Sequence, residues 1–213
     1  MLNNVTWFKQ SAFFFNAETK RKIYIDPWDV PNTYPIADLI FITHAHFDHF
    51  DIGTIKQLSS DHTLIICPKD VAEELDANFK VISVKPGDRI NPENIVKVEV
   101  VPAYNIDKPF HPKENNWVGY IFEINGRRYY HAGDTDRIPE MSDIRCDIAM
   151  LPIGGIYTMN IEEAVTAASD IGPQIAVPMH YGFEVGKHDD GEKFKKLSKI
   201  PVELLQPIRP FEK

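Results

Sequence analysis

Short apolar runs set the rhythm of this chain, and they come in two kinds. Ile95-Val96-Lys97-Val98-Glu99-Val100-Val101 alternates apolar and polar residues, as a half-buried strand does. Thr63-Leu64-Ile65-Ile66-Cys67 is continuous, the pattern of a strand buried on both faces. Residues 5–16 are rich in aromatic and β-branched types and read as strand, and Lys22-Ile23-Tyr24-Ile25 reads as a second. Leu39–Thr43, Val81–Val84, Asp147–Leu151, Gln174–Met179 and Val202–Leu205 are further strand candidates. Trp117–Ile124 and Arg127–Tyr130 flank Asn125-Gly126, a strong signal for a two-residue hairpin.

Helices announce themselves by their caps. Asp51 predicts a helix over 52–60 with Ile55 and Leu58 inward. Asp70 with Glu73, and Asn160 with Glu163, have capping-box spacing. The first pair predicts a helix to about Asn78, the second one to about Ile171, stopped by Gly172-Pro173. A last helix follows Asp189, with Phe194 and Leu197 inward and lysines outward. Strands come first, then strand and helix alternate, twice. That order predicts a layered α/β protein with two sheets and helices outside, as one domain over 1–213.

Composition narrows the class. Hydrophobic residues at 43% and charged residues at 25% are ordinary for a globular protein of 213 residues. A net charge of −8 argues against nucleic acid as the main partner, because an acidic surface repels phosphate backbones. No apolar run approaches the ~20 residues that span a bilayer, and the N-terminus has no signal-peptide pattern. The expectation is a cytoplasmic protein with a small-molecule partner and no membrane, with homo-oligomerisation left open. Cys67 and Cys146 are far apart and read as two buried thiols.

The chemistry concentrates at Thr43-His44-Ala45-His46-Phe47-Asp48-His49. Three histidines and an aspartate fall within six residues, directly after an apolar strand. Imidazole and carboxylate are ligands for metals such as zinc, manganese or iron, and packing gives no reason to collect them there. A loop curling off a strand end lets His44 and His46 hold one metal while Asp48 and His49 hold a second. Three other predicted strand ends carry related residues: Asp26, His131 to Asp134, and His180. Singly each is unremarkable, since a histidine after a strand is usually a surface or capped core residue. Jointly they follow the way open α/β sheets build sites at one edge. On that pattern Asp26 becomes an acceptor for the proton of a ligand histidine.

These motifs resemble the metallo-β-lactamase superfamily, whose His-x-His-x-Asp-His motif is matched at His44, His46, Asp48 and His49. Within it, the chain is similar to the branch containing ascorbate-phosphate lactonases and N-acylphosphatidylethanolamine phospholipase D. The likeness extends over Asp26-Pro27, Tyr130–Thr135, Gly154–Met159 and Pro178–Gly182. It implies a four-layer αβ/βα sandwich of two mixed β-sheets, with a binuclear site at one sheet edge. It also implies that Asp134 bridges the metals and that His180 completes the second one. The family places a histidine at the end of the strand before the hairpin, but here that strand ends Ala103-Tyr104-Asn105. His111 lies six residues on and is the preferred replacement, with His131 as its rival.

The expected activity is metal-dependent hydrolysis of a small ester, lactone or phosphodiester. Two divalent ions, zinc first and manganese or iron next, share a water and lower its pKa from ~15.7 toward ~7. Asp48 and Asp134 are the candidates to orient that nucleophile or take its proton, and Tyr157, Thr158 and Tyr181 the candidates to touch substrate. Rivals are a non-catalytic metal-binding or regulatory relative, a nuclease, and a di-iron redox protein. The redox branch carries glutamate where this chain has His46.

Overall fold

The computed structural model describes residues 2–211. Their apolar runs assemble into two six-stranded sheets. The first contains β1 (Val5–Trp7), β2 (Phe13–Asn16), β3 (Lys22–Ile25), β4 (Leu39–Phe41), β5 (Leu64–Cys67) and β6 (Lys80–Ser83), side by side in chain order. The second contains β7 (Arg89–Ile90), β8 (Val98–Pro102), β9 (Val118–Ile124), β10 (Arg127–His131), β11 (Ile148–Pro152) and β12 (Ile175–Met179), also in chain order. Four α-helices accompany them: α1 (Ile52–Leu58), α2 (Lys69–Glu74), α3 (Ile161–Ile171) and α4 (Asp190–Leu197).

Side-chain alternation sorts these elements into layers. Ile23, Ile25, Leu39 and Phe41 share one buried cluster with Val100, Tyr120 and Phe122 of the second sheet. Their neighbours Tyr24 and Ile40 belong to a separate cluster with Ile55 and Leu58 of α1 and Val71 of α2. A period of two therefore sends one set of residues between the sheets and the other under the helices. Helices α3 and α4 contact β11 and β12, burying Ala164, Ala167, Ala168 and Phe194. The result is helix, sheet, sheet, helix.

Strand direction decides where the polar strand ends meet. β3 and β4 are parallel, as are β10, β11 and β12. β8 is antiparallel to β9 and β9 to β10, so β8 runs the same way as β10. The segments after β3, β4, β8, β10 and β12 thus leave from carboxyl ends that face one edge. Hydrogen bonds join the two halves there. Val118 N donates to Thr43 O at 3.1 Å, Tyr120 Oη to Ile42 O at 2.7 Å, and His180 N to Gln10 O at 3.0 Å.

Several elements differ from the pattern-based expectation. Residues 5–16 are a hairpin, β1 and β2, turned at residues 8–12 by an Ala12 N to Lys9 O bond of 2.8 Å. Helix α2 starts one residue before Asp70, with Pro68 at its cap position, and ends at Glu74; Asp70 Oδ1 accepts from Val71 N at 2.9 Å and Oδ2 from Trp117 Nε1 at 2.6 Å. β8 begins only at Val98, since residues 92–94 form a 3-10 turn. Residues 202–205 make a single bridge, Val202 to Ala176, where Pro201 offers no N–H to extend a ladder. Leu197 is exposed and Cys146 only half-buried, while Phe194 and Cys67 are fully buried. The Asn160–Glu163 capping box and the left-handed Gly172 cap of α3 are both present.

Candidate metal centre

The histidine loop owes its shape to Asp26. This residue follows β3 in a left-handed conformation, with φ of 45°. Its carboxylate accepts from Thr43 N at 2.8 Å and Thr43 Oγ1 at 2.7 Å, which fixes the point where the loop leaves β4. His49 N and Phe50 N both donate to His46 O, at 3.0 and 2.8 Å. That tight turn brings the His49 ring back to within 4.0 Å of the His44 ring, centroid to centroid. Asp51 then closes the loop by accepting from Gly53 N and capping α1.

Around this loop the carboxyl-end segments deliver the rest. Ligand-type atoms of His44, His46 and His111 lie within 4.8 Å of one another, as do those of His44, His49 and Asp134, and of Asp48, His49 and His180. Asp134 stands between the groups. Its Oδ2 is 3.4 Å from His111 Nε2, 3.9 Å from His44 Nε2 and 3.1 Å from His180 Nε2. Its Oδ1 is 3.4 Å from His49 Nε2. Asp48 Oδ2 lies 3.7 Å from His49 Nε2 and 3.6 Å from His180 Nε2.

Outer hydrogen bonds set which nitrogen of each ring faces inward. His49 Nδ1 donates to Asp26 Oδ2 at 2.7 Å, because an ionised carboxylate only accepts. Thr43 Oγ1 gives its proton to Asp26, so at 2.9 Å it accepts from His44 Nδ1. His111 Nδ1 donates to Asn105 Oδ1 at 3.0 Å. In each ring Nε2 is then the nitrogen turned to the centre, the arrangement that orients metal-binding imidazoles. His49 Nε2, His111 Nε2 and Asp134 Oδ1 are buried with no hydrogen-bond partner among the described residues. Buried polar atoms are rarely left this way unless something else binds them. Neutral imidazole nitrogens and carboxylate oxygens are donors that zinc, manganese and iron accept, so the residues fit such a cation.

The charges inside the cluster pull in opposite directions. Burial pushes His44 well below the usual histidine pKa, with His49, His111 and His46 adding repulsion that outweighs the attraction of Asp134. Burial also lowers His46. At His180, burial acts downward, but the Asp134 charge and hydrogen bonds to Asp134 and Asp48 raise the pKa to about 9. His49 is likewise raised, against burial, by Asp134, Asp48 and Asp26. Burial works to raise Asp48 and Asp134, yet the neighbouring histidines hold both below the ordinary carboxylate value. Both carboxylates therefore stay ionised near neutrality.

Two glycines and three strained residues make the packing feasible. A Cβ on Gly133, at φ 64°, would sit 2.8 Å from Val118 O and 3.2 Å from Thr43 Cβ, so glycine is required to aim Asp134. A Cβ on Gly154 would meet His180 O at 2.5 Å. Gln10, Asp26 and His180 all hold positive φ without being glycine, at 45°, 45° and 56°. Such strain collects at functional sites.

The other sequence candidates divide. His131 is fully buried away from the cluster, with Nε2 donating to Ser11 O at 3.0 Å and Nδ1 accepting from Gly133 N at 3.3 Å. Tyr157 lines the cavity over the cluster. Thr158 is fully buried, and the Tyr181 ring packs on Trp7 and Phe211 at 5.3 and 5.6 Å, so neither lines that cavity. Gln10 was not among the candidates. It is fully buried, and its Nε2 donates to Asp48 Oδ2 at 3.0 Å and lies 3.3 Å from His180 Nε2. No sequence signal marks it once residues 5–16 are read as one strand. Asn105, the acceptor for His111, is likewise outside the candidate set, marked in the sequence only as a strand end.

Comparison with known proteins follows the same lines. A sequence profile described as the Beta-lactamase superfamily domain matches residues 13–181. A metal-dependent hydrolase of Pyrococcus furiosus is 33% identical over 226 aligned residues, covering 98% of each chain. A crystal structure of a metal-dependent hydrolase from Parabacteroides distasonis is similar at a TM-score of 0.84 and 34% identity, over 95% of this chain and 93% of that one. Igni18, a metallo hydrolase from Ignicoccus hospitalis, is similar at a TM-score of 0.75 and 27% identity, over 95% and 94%.

Proposed function

The chain belongs to the beta-lactamase superfamily, and on that premise we propose that it hydrolyses a small ester, lactone or phosphodiester at two divalent cations. It is a metal-dependent hydrolase, as its relatives across the full length are named. In this reading His44, His46 and His111 hold one cation, Asp48, His49 and His180 the other, and Asp134 serves both. Zinc suits this histidine-rich set first, with manganese or iron as alternatives.

One observation carries the reading. Three buried ligand-type atoms on three separate segments, His49 Nε2, His111 Nε2 and Asp134 Oδ1, converge within ion-pair distance yet make no hydrogen bond among the described residues. A packing role gives no reason to leave them unsatisfied. When bound, such a pair of cations supplies hydroxide at neutral pH and stabilises charge developing on oxygen.

The remaining work belongs to side chains. Asp26 keeps His49 in the tautomer that presents Nε2, and Asn105 does the same for His111. Asp48 lines the cavity, stays ionised, and is placed to accept a hydrogen bond from the attacking water and orient it. The cavity above the cluster is about 240 Å³, below the range typical for drug-sized ligands, which supports a small substrate. No helix among the described residues is long and apolar enough to cross a membrane.

Elemental analysis of protein purified without chelator tests this reading. About two transition-metal ions per chain are expected. One or none after reloading would overturn the two-cation assignment. His46→Ala is expected to abolish metal-dependent turnover while the far-ultraviolet circular dichroism spectrum stays unchanged. Unaltered turnover in that variant would overturn the proposed site.

A further inference from the structure

The cavity walls beyond the metal cluster are specific enough to describe the substrate's other end. Gln10, His46, Asp48, Asp134 and His180 form the floor. What remains is Phe47, Phe110, Tyr157 and Glu184. Phe47 is 64% exposed, Phe110 39% and Tyr157 38%. Three large rings left in water around one small opening are not explained by packing.

The rings are nonetheless held. Phe47 meets Trp28 edge-to-face at 5.7 Å, and Trp28 is covered in turn by Lys9 Nζ, 3.7 Å from its ring centre. Phe110 meets Tyr157 edge-to-face at 4.7 Å. Asn105, which also orients His111, donates to Tyr157 O at 2.9 Å. The same amide side chain thus ties the ring loop to the metal cluster.

Charge completes the description. No lysine or arginine lines the cavity, and Glu184 has no hydrogen bond or ion pair among the described residues. Lys9 is buried over the Trp28 and Phe183 rings and does not line the opening. An exposed carboxylate at the rim of an aromatic-lined cavity favours a cationic arm end over an anionic one there, away from the cations on the cavity floor.

We propose that the substrate is a small ester, lactone or related acyl compound whose non-reacting arm is planar or apolar, seated among Phe47, Phe110 and Tyr157, with a cationic or hydrogen-bond-donating end at Glu184. This rests on the metal-dependent hydrolase reading and selects within it. Acyl compounds with neutral or basic arms fit, and substrates with acidic arms do not.

Hydroxamic acids test this, because they bind divalent cations through two oxygens and carry any chosen arm. Protein whose metal content has been measured is titrated calorimetrically with acetohydroxamate, 4-(aminomethyl)benzohydroxamate and 4-carboxybenzohydroxamate. The aminomethyl compound is expected to bind about tenfold or more tighter than each of the others. Glu184→Gln is expected to narrow the gap between the two benzene compounds, and Phe110→Ala the gap between the aminomethyl compound and acetohydroxamate. Metal-loaded protein that binds all three equally, or whose preferences ignore both substitutions, overturns this inference alone. Protein that takes up no metal overturns the two-cation reading and this inference with it, and loaded protein that binds none of the three overturns this inference alone.

Discussion

The side-chain amide of Gln10 donates to Asp48 Oδ2 at 3.0 Å, tying the first hairpin of the chain to the histidine loop 38 residues later. Both groups are buried, and Gln10 adopts left-handed backbone to make the contact. The bond fixes one oxygen of Asp48 while its carboxylate faces His49 and His180. Gln10→Ala is therefore expected to weaken the cation held by Asp48, His49 and His180 about 10- to 100-fold, as loss of supporting partners does. The cation at His44, His46 and His111 is expected to keep its affinity. Chelator competition on the wild type and the variant reads both. Equal weakening at the two sites would show that Gln10 supports the fold rather than Asp48.

Asp26 makes a separate prediction. Its carboxylate accepts from His49 Nδ1, Thr43 N and Thr43 Oγ1 in a fully buried position. Asp26→Asn keeps the size and tolerates positive φ. It also replaces an acceptor-only group with one that donates, so one of these three bonds is lost or the His49 ring changes tautomer. The expected outcome is about 1–3 kcal/mol lower stability of the metal-free protein, together with weaker binding at the His49 site. Urea unfolding in chelator measures the first, and metal titration the second. Loss of stability without loss of metal affinity would separate Asp26 from the orientation of His49.

Much of this site was legible because strand ends are local. His44 to His49 and His180 follow apolar runs directly, Asp134 follows the second arm of the Asn125-Gly126 hairpin, and parallel strands carry such ends to a common edge. The structure brings these segments together, and brings His111 with them. Gln10 was not legible, because its role depends on a turn at residues 8–12 inside a run of strand-type residues. Thr158 and Tyr181 point to the other limit. Their segments do reach the edge, but which way a side chain turns is decided by tertiary neighbours, here Trp7 and Phe211 for Tyr181. At helix α2 the cap falls at Pro68, two residues before Asp70, whose carboxylate is shared between Val71 N and Trp117 Nε1.

His111 and His131 are both buried histidines of the second half, and substitution distinguishes their roles. His111 presents an unpartnered Nε2 to Asp134, whereas both nitrogens of His131 are engaged by Ser11 O and Gly133 N. His111→Ala is expected to lower metal content from about two ions to about one per chain, with little change in metal-free stability. His131→Ala opens a core cavity beside Phe13 and leaves two backbone groups without partners. Its expected cost is about 2–4 kcal/mol in stability, with metal content retained. Elemental analysis and chemical denaturation of both variants provide the comparison, and an exchange of the two phenotypes would reassign the ligand.

The charges of the cluster also predict how the metal-free protein responds to pH. His180, with its pKa raised to about 9, and His49, also raised, bind protons more tightly folded than unfolded. Their contribution is fully present below the unfolded value of about 6.5 and is lost as pH rises through the folded values. His44 and His46 have lowered pKa values, so the unfolded chain takes up their protons first as pH falls below about 6.5. Stability declines on that side too, and declines further in acid as Asp48 and Asp134 are protonated. Thermal unfolding in chelator should therefore show its highest midpoint near pH 6.5, falling toward pH 9 and toward pH 5. Added cation reverses the alkaline limb. Binding needs neutral imidazoles, so the gap in midpoint between loaded and chelated protein should widen from about pH 6.5 to about pH 9. A metal-free midpoint that climbs over that interval would mean that Asp134 and Asp48 do not hold protons on His180 and His49 as their distances indicate.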